Sequence, residues 1–108
     1  MKKTAFTILL ALVCPLFGAA IANAEDGAAL FKAKCAACHG QDGSGNTTIG
    51  RKSGLRDLGS ADVQTQTDAE LTAIIAEGKG KPAHAYKKKG VTDAQIQALV
   101  AHIRSLKN

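Results

Sequence analysis

Two segments in the second half of the chain carry the clearest alternation of apolar and polar positions at helical spacing. Leu71, Ile74 and Ile75 form an apolar stripe that stops at Gly78, and Thr67-Asp68-Ala69-Glu70 stands before it as a capping box. Ile96, Leu99, Val100, Ile103 and Leu106 keep one face of a second segment apolar, opened by another capping box, Thr92-Asp93-Ala94-Gln95. Arg104 and Lys107 near its end suit the negative pole of a helix dipole. A third helix is expected earlier, with Asp26 as its N-cap and Ala29, Leu30, Phe31 and Ala33 along its length. Gly27 and Phe31 share a face at i, i+4 spacing, and this face offers a close crossing point for the last helix.

Between these helices the pattern breaks. Gly40 to Asn46 is too rich in glycine and turn formers for helix or strand. It lacks the Lys-Ser/Thr ending of a phosphate-binding loop, which removes that reading. Thr47 to Gln66 reads as irregular, with Leu55 and Leu58 as apolar anchors and a single turn starting at Ser60. The fold class expected is all-α, with three main helices separated by loops.

The amino end has a different character. Met1-Lys2-Lys3, an apolar run from about Ala5 to Ala20, and Ala22-Asn23-Ala24 make a charged, an apolar and a small-x-small region in succession. That is the order of a secretory leader, expected to be cut after Ala24, so residues 1–24 are read as signal peptide and residues 25–108 as the working domain. The apolar run is shorter than the roughly 20 residues of a spanning helix. Cys14 reads as filler in the leader, since Val13 and Pro15 make a poor lipid-processing site. Losing Lys2 and Lys3 lowers the net charge from +5 to +3, a mild excess. The remaining domain has only Phe31 and Tyr86 as aromatics, a thin supply for a core this small. That leaves the core short of apolar bulk from its own side chains.

The candidate chemistry is concentrated in Cys35-Ala36-Ala37-Cys38-His39. Two thiols three positions apart with histidine next is the spacing that joins a c-type haem by two thioether bonds and gives its iron an axial imidazole. A disulfide, a redox dithiol and half of a zinc site use similar spacings. The redox dithiol belongs in a strand and helix alternation that is lacking, and the zinc site needs a second ligand pair. With the leader gone, Cys35 and Cys38 are the only thiols, enough for one haem.

Taken together, Asp26-Gly27-x-x-x-Phe31, Cys35-x-x-Cys38-His39, a middle helix, a lysine-rich loop and the ending Leu99-Val100-Ala101-x-Ile103-Arg104-Ser105-Leu106 resemble a small class I cytochrome c over residues 26–107. The resemblance implies loops and three helices wrapped around one covalent haem, with Cys35 and Cys38 as thioether cysteines and His39 as proximal ligand. It also implies that Gly27, Phe31 and Leu99 sit where the first and last helices cross.

The chain departs from that family twice. His102 stands where a large aromatic is typical of the last helix, and a core or boundary role against the first helix is expected of it. Where similar sequences read Gly-Lys-x-x-Met-Pro, with methionine as second axial ligand, this one reads Gly78-Lys79-Gly80-Lys81-Pro82-Ala83-His84, and its only methionine is Met1. The sixth iron position then falls to His84, to Lys81 or Lys79, to His102, or to water. A neutral imidazole is a good ligand, whereas a lysine must first lose its proton.

The function expected is a soluble, exported, monomeric electron carrier of the periplasm, not an enzyme, with no membrane span once the leader is cut. The alternatives are a haem sensor or weak peroxidase with an open iron position, and a subunit of a membrane oxidoreductase. Lys79, Lys81, Lys87, Lys88 and Lys89 flank the ligand loop and suit either an acidic redox partner or plain solvation. Nucleic acid is excluded as a partner by export and by the lack of aromatics interleaved among the basic residues.

Overall fold

A computed structural model describes residues 19–81 and 83–108, with side chains from Gly27 onward except Pro82. The leader read in residues 1–24 thus lies largely outside the described residues. Six α-helices and a 3₁₀ turn follow one another: α1 (Ala19–Lys34), α2 (Ala36–His39), α3 (Thr48–Ser53), α4 (Ala61–Gln64), α5 (Asp68–Glu77), the 3₁₀ turn (Tyr86–Lys89) and α6 (Asp93–Ser105). The architecture is all-helical, with no strand among the described residues. None of the described helices is long and apolar enough to cross a membrane.

The three longest helices, α1, α5 and α6, are the three expected. Both capping boxes form. Thr67 Oγ1 accepts from the Glu70 amide at 3.1 Å while the Glu70 carboxylate accepts from the Thr67 amide at 3.3 Å. Thr92 and Gln95 repeat the exchange at 3.2 and 2.9 Å. Gly78 closes α5 at φ +68°, a left-handed conformation that costs glycine nothing. The apolar stripes then meet inside: Leu71, Ile75, Ile96, Leu99, Val100 and Ile103 are buried with Phe31 in one cluster.

Two expectations need correction. Asp26 is not an N-cap, because α1 already runs through it, helical from Ala19 onward among the described residues. The alanine-rich stretch before it is a strong helix former and carries the helix backward. Residues 47–66 are not all irregular either, since α3 occupies Thr48–Ser53, and the single turn starting at Ser60 is α4.

The first and last helices cross where Gly27 meets Ala98. A Cβ on Gly27 would stand 2.4 Å from the Ala98 carbonyl oxygen, so the two backbones touch as only glycine permits. One turn further, the Phe31 ring packs on His102 with centroids 4.8 Å apart and planes tilted by 46°. His102 therefore takes the boundary role expected of it.

Arg104 does more than face a helix dipole. Its guanidinium pairs with Asp68 at 2.8 Å and donates to the Gln64 and Gln66 carbonyls, joining the end of α6 to the start of α5. Gln64 adds bonds from its side-chain amide to the Leu58 and Ile103 carbonyls, at 2.8 and 2.9 Å.

Replacing Gly27 with alanine is expected to destabilise the fold by about 2 kcal/mol through overpacking, lowering the thermal midpoint by roughly 10 °C. Ala98→Gly does not rescue it, because the clash is with the carbonyl and not the methyl group. Thermal scans of the two single variants and the double variant check this.

Candidate functional site

Helix α1 breaks at Cys35, and the break builds the site. Instead of extending α1 by a bond to Lys34, the Cys38 amide donates to the Cys35 carbonyl at 3.2 Å, and the His39 amide joins it there at 2.9 Å. The carbonyls left over around this turn are taken by groups from elsewhere. The Tyr86 hydroxyl donates to Lys34 at 3.0 Å, the Thr47 hydroxyl to Cys38 at 2.6 Å, and the Gly45 amide to His39 at 2.7 Å. Thr47 also accepts from the Gly50 amide at 2.8 Å and so caps α3. The glycine-rich loop is thus folded back onto the Cys-x-x-Cys-His turn and holds its backbone.

Beside that turn lies a cavity of about 560 Å³, within the range of cofactor sites. Phe31, Leu71, Ile75, Leu99 and Ile103 form its apolar walls, with Leu55 and Leu58 from the segment after α3. Arg56 and Lys81 stand at its edge as exposed cations. Cys35, His39 and His84 all line it. Cys38 is half-buried on the same turn as Cys35, and both are free thiols.

The rings of His39 and His84 face each other with centroids 6.1 Å apart and planes 24° from parallel. Nδ1 of each is buried without a hydrogen-bond partner. An unsatisfied buried nitrogen costs about 1–3 kcal/mol; for His84 the nearby Ile74 carbonyl offsets part of that cost. Burial, then the neighbouring His84, pushes the pKa of His39 down. Burial does the same for His84, helped by the charges of Lys89 and Lys81 and opposed by the Ile74 carbonyl. Both imidazoles are accordingly neutral near pH 7, the form that donates a lone pair. Burial raises the Cys35 thiol to about 11.

The other sixth-position candidates sit differently. Lys81 is exposed beside the cavity, whereas Lys79 and His102 are not among its lining residues. Sequence reasoning missed Thr47 and Arg56, and it used Tyr86 only as apolar bulk.

The family model for cytochrome c matches residues 24–107. The chain belongs to the cytochrome c family. No curated protein and no solved structure matches it. Membership implies a chain that binds haem c and works in haem-based electron transfer.

The residues present fit that group. The cavity is apolar, a thiol and an imidazole of the attachment motif stand at its wall, and a second neutral imidazole faces the first. Cys35 and His39 of the motif and the imidazole of His84 are the residues that would hold the group at this cavity.

Thr47→Ala is expected to cost about 1 kcal/mol as a lost helix cap and to free the Cys38 carbonyl. Thr47→Ser, which keeps the hydroxyl, is expected to recover most of the loss. Chemical denaturation of the three proteins measures both.

Proposed function

We propose that this chain is a soluble exported carrier of single electrons, holding one haem c through thioether bonds to Cys35 and Cys38. His39 is its proximal iron ligand and His84 its sixth. The observation that carries the reading is the pair of neutral imidazoles, ring centroids 6.1 Å apart, that line one apolar cavity. The two cysteines are supported by their spacing, their position on the turn that also holds His39, and the family match.

When bound, haem supplies an iron that gains and loses one electron while its ligands stay in place. The chain's own residues do the rest. Cys35 and Cys38 would fasten the group to the turn, and His39 and His84 would be the residues that hold its iron. Phe31, Leu99 and Ile103 keep water away, which favours a small change in solvation between oxidation states.

Lys79, Lys81, Lys87, Lys88 and Lys89 are all exposed around the loop that carries His84, which supports docking of an acidic redox partner there. Two of them also have internal duties: Lys87 pairs with Asp93 at 3.4 Å, and Lys89 donates to the Ala83 carbonyl at 2.8 Å. Export to the periplasm as a monomer rests on the leader pattern and on the need to attach haem outside the cytoplasm.

Protein matured in a host competent for cytochrome c assembly is expected to be red and heavier than the cut polypeptide by one haem, which stays attached on denaturation. Its ferrous form is expected to be six-coordinate and low-spin and to bind carbon monoxide slowly. His84→Ala should turn the iron high-spin and speed carbon monoxide binding on the order of a hundredfold, the release expected when a ligand bound about 99% of the time is removed. Colourless protein overturns the haem, and a wild-type spectrum in His84→Ala overturns the sixth ligand. High-spin wild-type iron that takes carbon monoxide at once supports the open-site sensor or peroxidase instead.

A further inference from the structure

His84 lies on the loop between α5 and the 3₁₀ turn. From Gly78 to Ala85 the backbone is held by short-range bonds, Lys81 amide to Gly78 carbonyl at 2.8 Å and His84 amide to Lys81 carbonyl at 3.0 Å. These shape the loop without fixing its distance from the Cys-x-x-Cys-His turn. One side chain spans that distance. Tyr86, two residues past His84, donates its hydroxyl to the Lys34 carbonyl, the last of α1 and next to Cys35. The bond joins positions 52 apart in the chain.

The Tyr86 ring is itself held from several directions. It stacks with His84 at 6.0 Å between centroids and 27° between planes, and the Lys89 ammonium stands 4.6 Å from the ring centre. Lys89 also donates to the Ala83 carbonyl, so the same ammonium grips the loop just before His84. The Tyr86 carbonyl accepts from the amide of buried Val91, which ties the turn to the start of α6. Between His84 and Tyr86, Ala85 adopts φ +42°, a conformation that costs a non-glycine residue roughly 1 kcal/mol. That bend brings the two rings onto one another.

We propose that Tyr86 is the positioning residue for His84: its hydroxyl fastens the ligand loop to the carboxyl end of α1, and its ring backs the imidazole, so that together they hold the sixth ligand opposite His39. The proposal rests on the reading of His84 as an iron ligand. Loosening Tyr86 leaves the coordinating side chain in place but raises the fraction of time the loop swings away. Small ligands enter in that fraction, and their binding rate reports it.

The test uses the haem-loaded protein and compares carbon monoxide association with the ferrous form in six chains: wild type, Tyr86→Phe, Tyr86→Leu, His84→Ala, and His84→Ala combined with each Tyr86 substitution. Tyr86→Phe, which loses one exposed hydrogen bond, is expected to speed association roughly threefold. Tyr86→Leu, which loses the ring as well, should speed it more than tenfold and add high-spin signal in the electron paramagnetic resonance spectrum of the ferric form. In the His84→Ala background neither substitution should change the rate by more than about twofold, since a positioning residue acts only through the group it positions.

Equal acceleration in both backgrounds makes Tyr86 a general structural residue and overturns the proposal. So does an unchanged rate for Tyr86→Phe and Tyr86→Leu while His84→Ala is fast. If His84→Ala itself binds carbon monoxide no faster than wild type, His84 is not the ligand and the positioning role falls with it, a result distinct from the other two. Should Tyr86→Leu fail to fold, Tyr86→Phe decides alone, because it keeps the ring and its packing.

Discussion

The crossing of α1 over α6 at Gly27 and Ala98 is the constraint on which the site depends. It sets the closest approach of the two helices, and every apolar side chain that walls the cavity from that side, Phe31, Leu99 and Ile103, hangs from them. The Cys-x-x-Cys-His turn is the direct continuation of α1, so the same crossing fixes where Cys35 and His39 stand. A small shift at Gly27 would be passed along a rigid helix to the attachment turn. The remaining elements close on this frame: Arg104 and Gln64 draw α4 and α5 onto α6, and the loops after α2 return to cover the turn.

Such a frame encloses more than a domain of this size comfortably fills. The cavity removes apolar contacts from the centre, and the two imidazoles beside it each bury a nitrogen without a partner. Both features oppose folding, by loss of packing and by desolvation. The first is relieved by a planar apolar group that fills the cavity. The cavity thus has room for the group that membership of the cytochrome c family implies. On this reading much of the stability belongs to the loaded protein, because a ligand that binds only the folded state adds its binding free energy to it.

What was legible in the sequence was local. The capping boxes of α5 and α6 are bonds within four residues, and the Cys-x-x-Cys-His spacing is a property of one turn, so a pattern reader finds both. Gly27 and Phe31 were readable as a crossing because their small and flat shapes share a helix face. The misses involve partners far apart in the chain. α3 holds a glycine and a β-branched pair, Thr48-Ile49, of modest helical tendency, and its cap, Thr47, is fixed by the Cys38 carbonyl. Tyr86 looked like apolar bulk because the carbonyl it meets lies 52 positions away. The signal available was weak: the domain's only tyrosine stands two residues after a histidine in a loop.

Replacing a thioether by an imidazole on the loop changes more than one bond, if His84 is taken as the ligand proposed above. A second imidazole favours ferric iron where methionine favours ferrous, and axial ligands help spread haem potentials over about 0.8 V. The loop must also make room for a stiff planar ring in place of a flexible chain. Methionine adapts its rotamers to a loop, whereas histidine has only two torsions and needs the backbone brought to it. The left-handed Ala85, the backing ring of Tyr86 and the two-handed grip of Lys89 are the means by which this backbone is brought. A loop that had lost its methionine by chance would have no need of them. Their presence around His84 fits a site shaped around imidazole, and if His84 binds the iron the carrier would work at lower potential than methionine-ligated relatives.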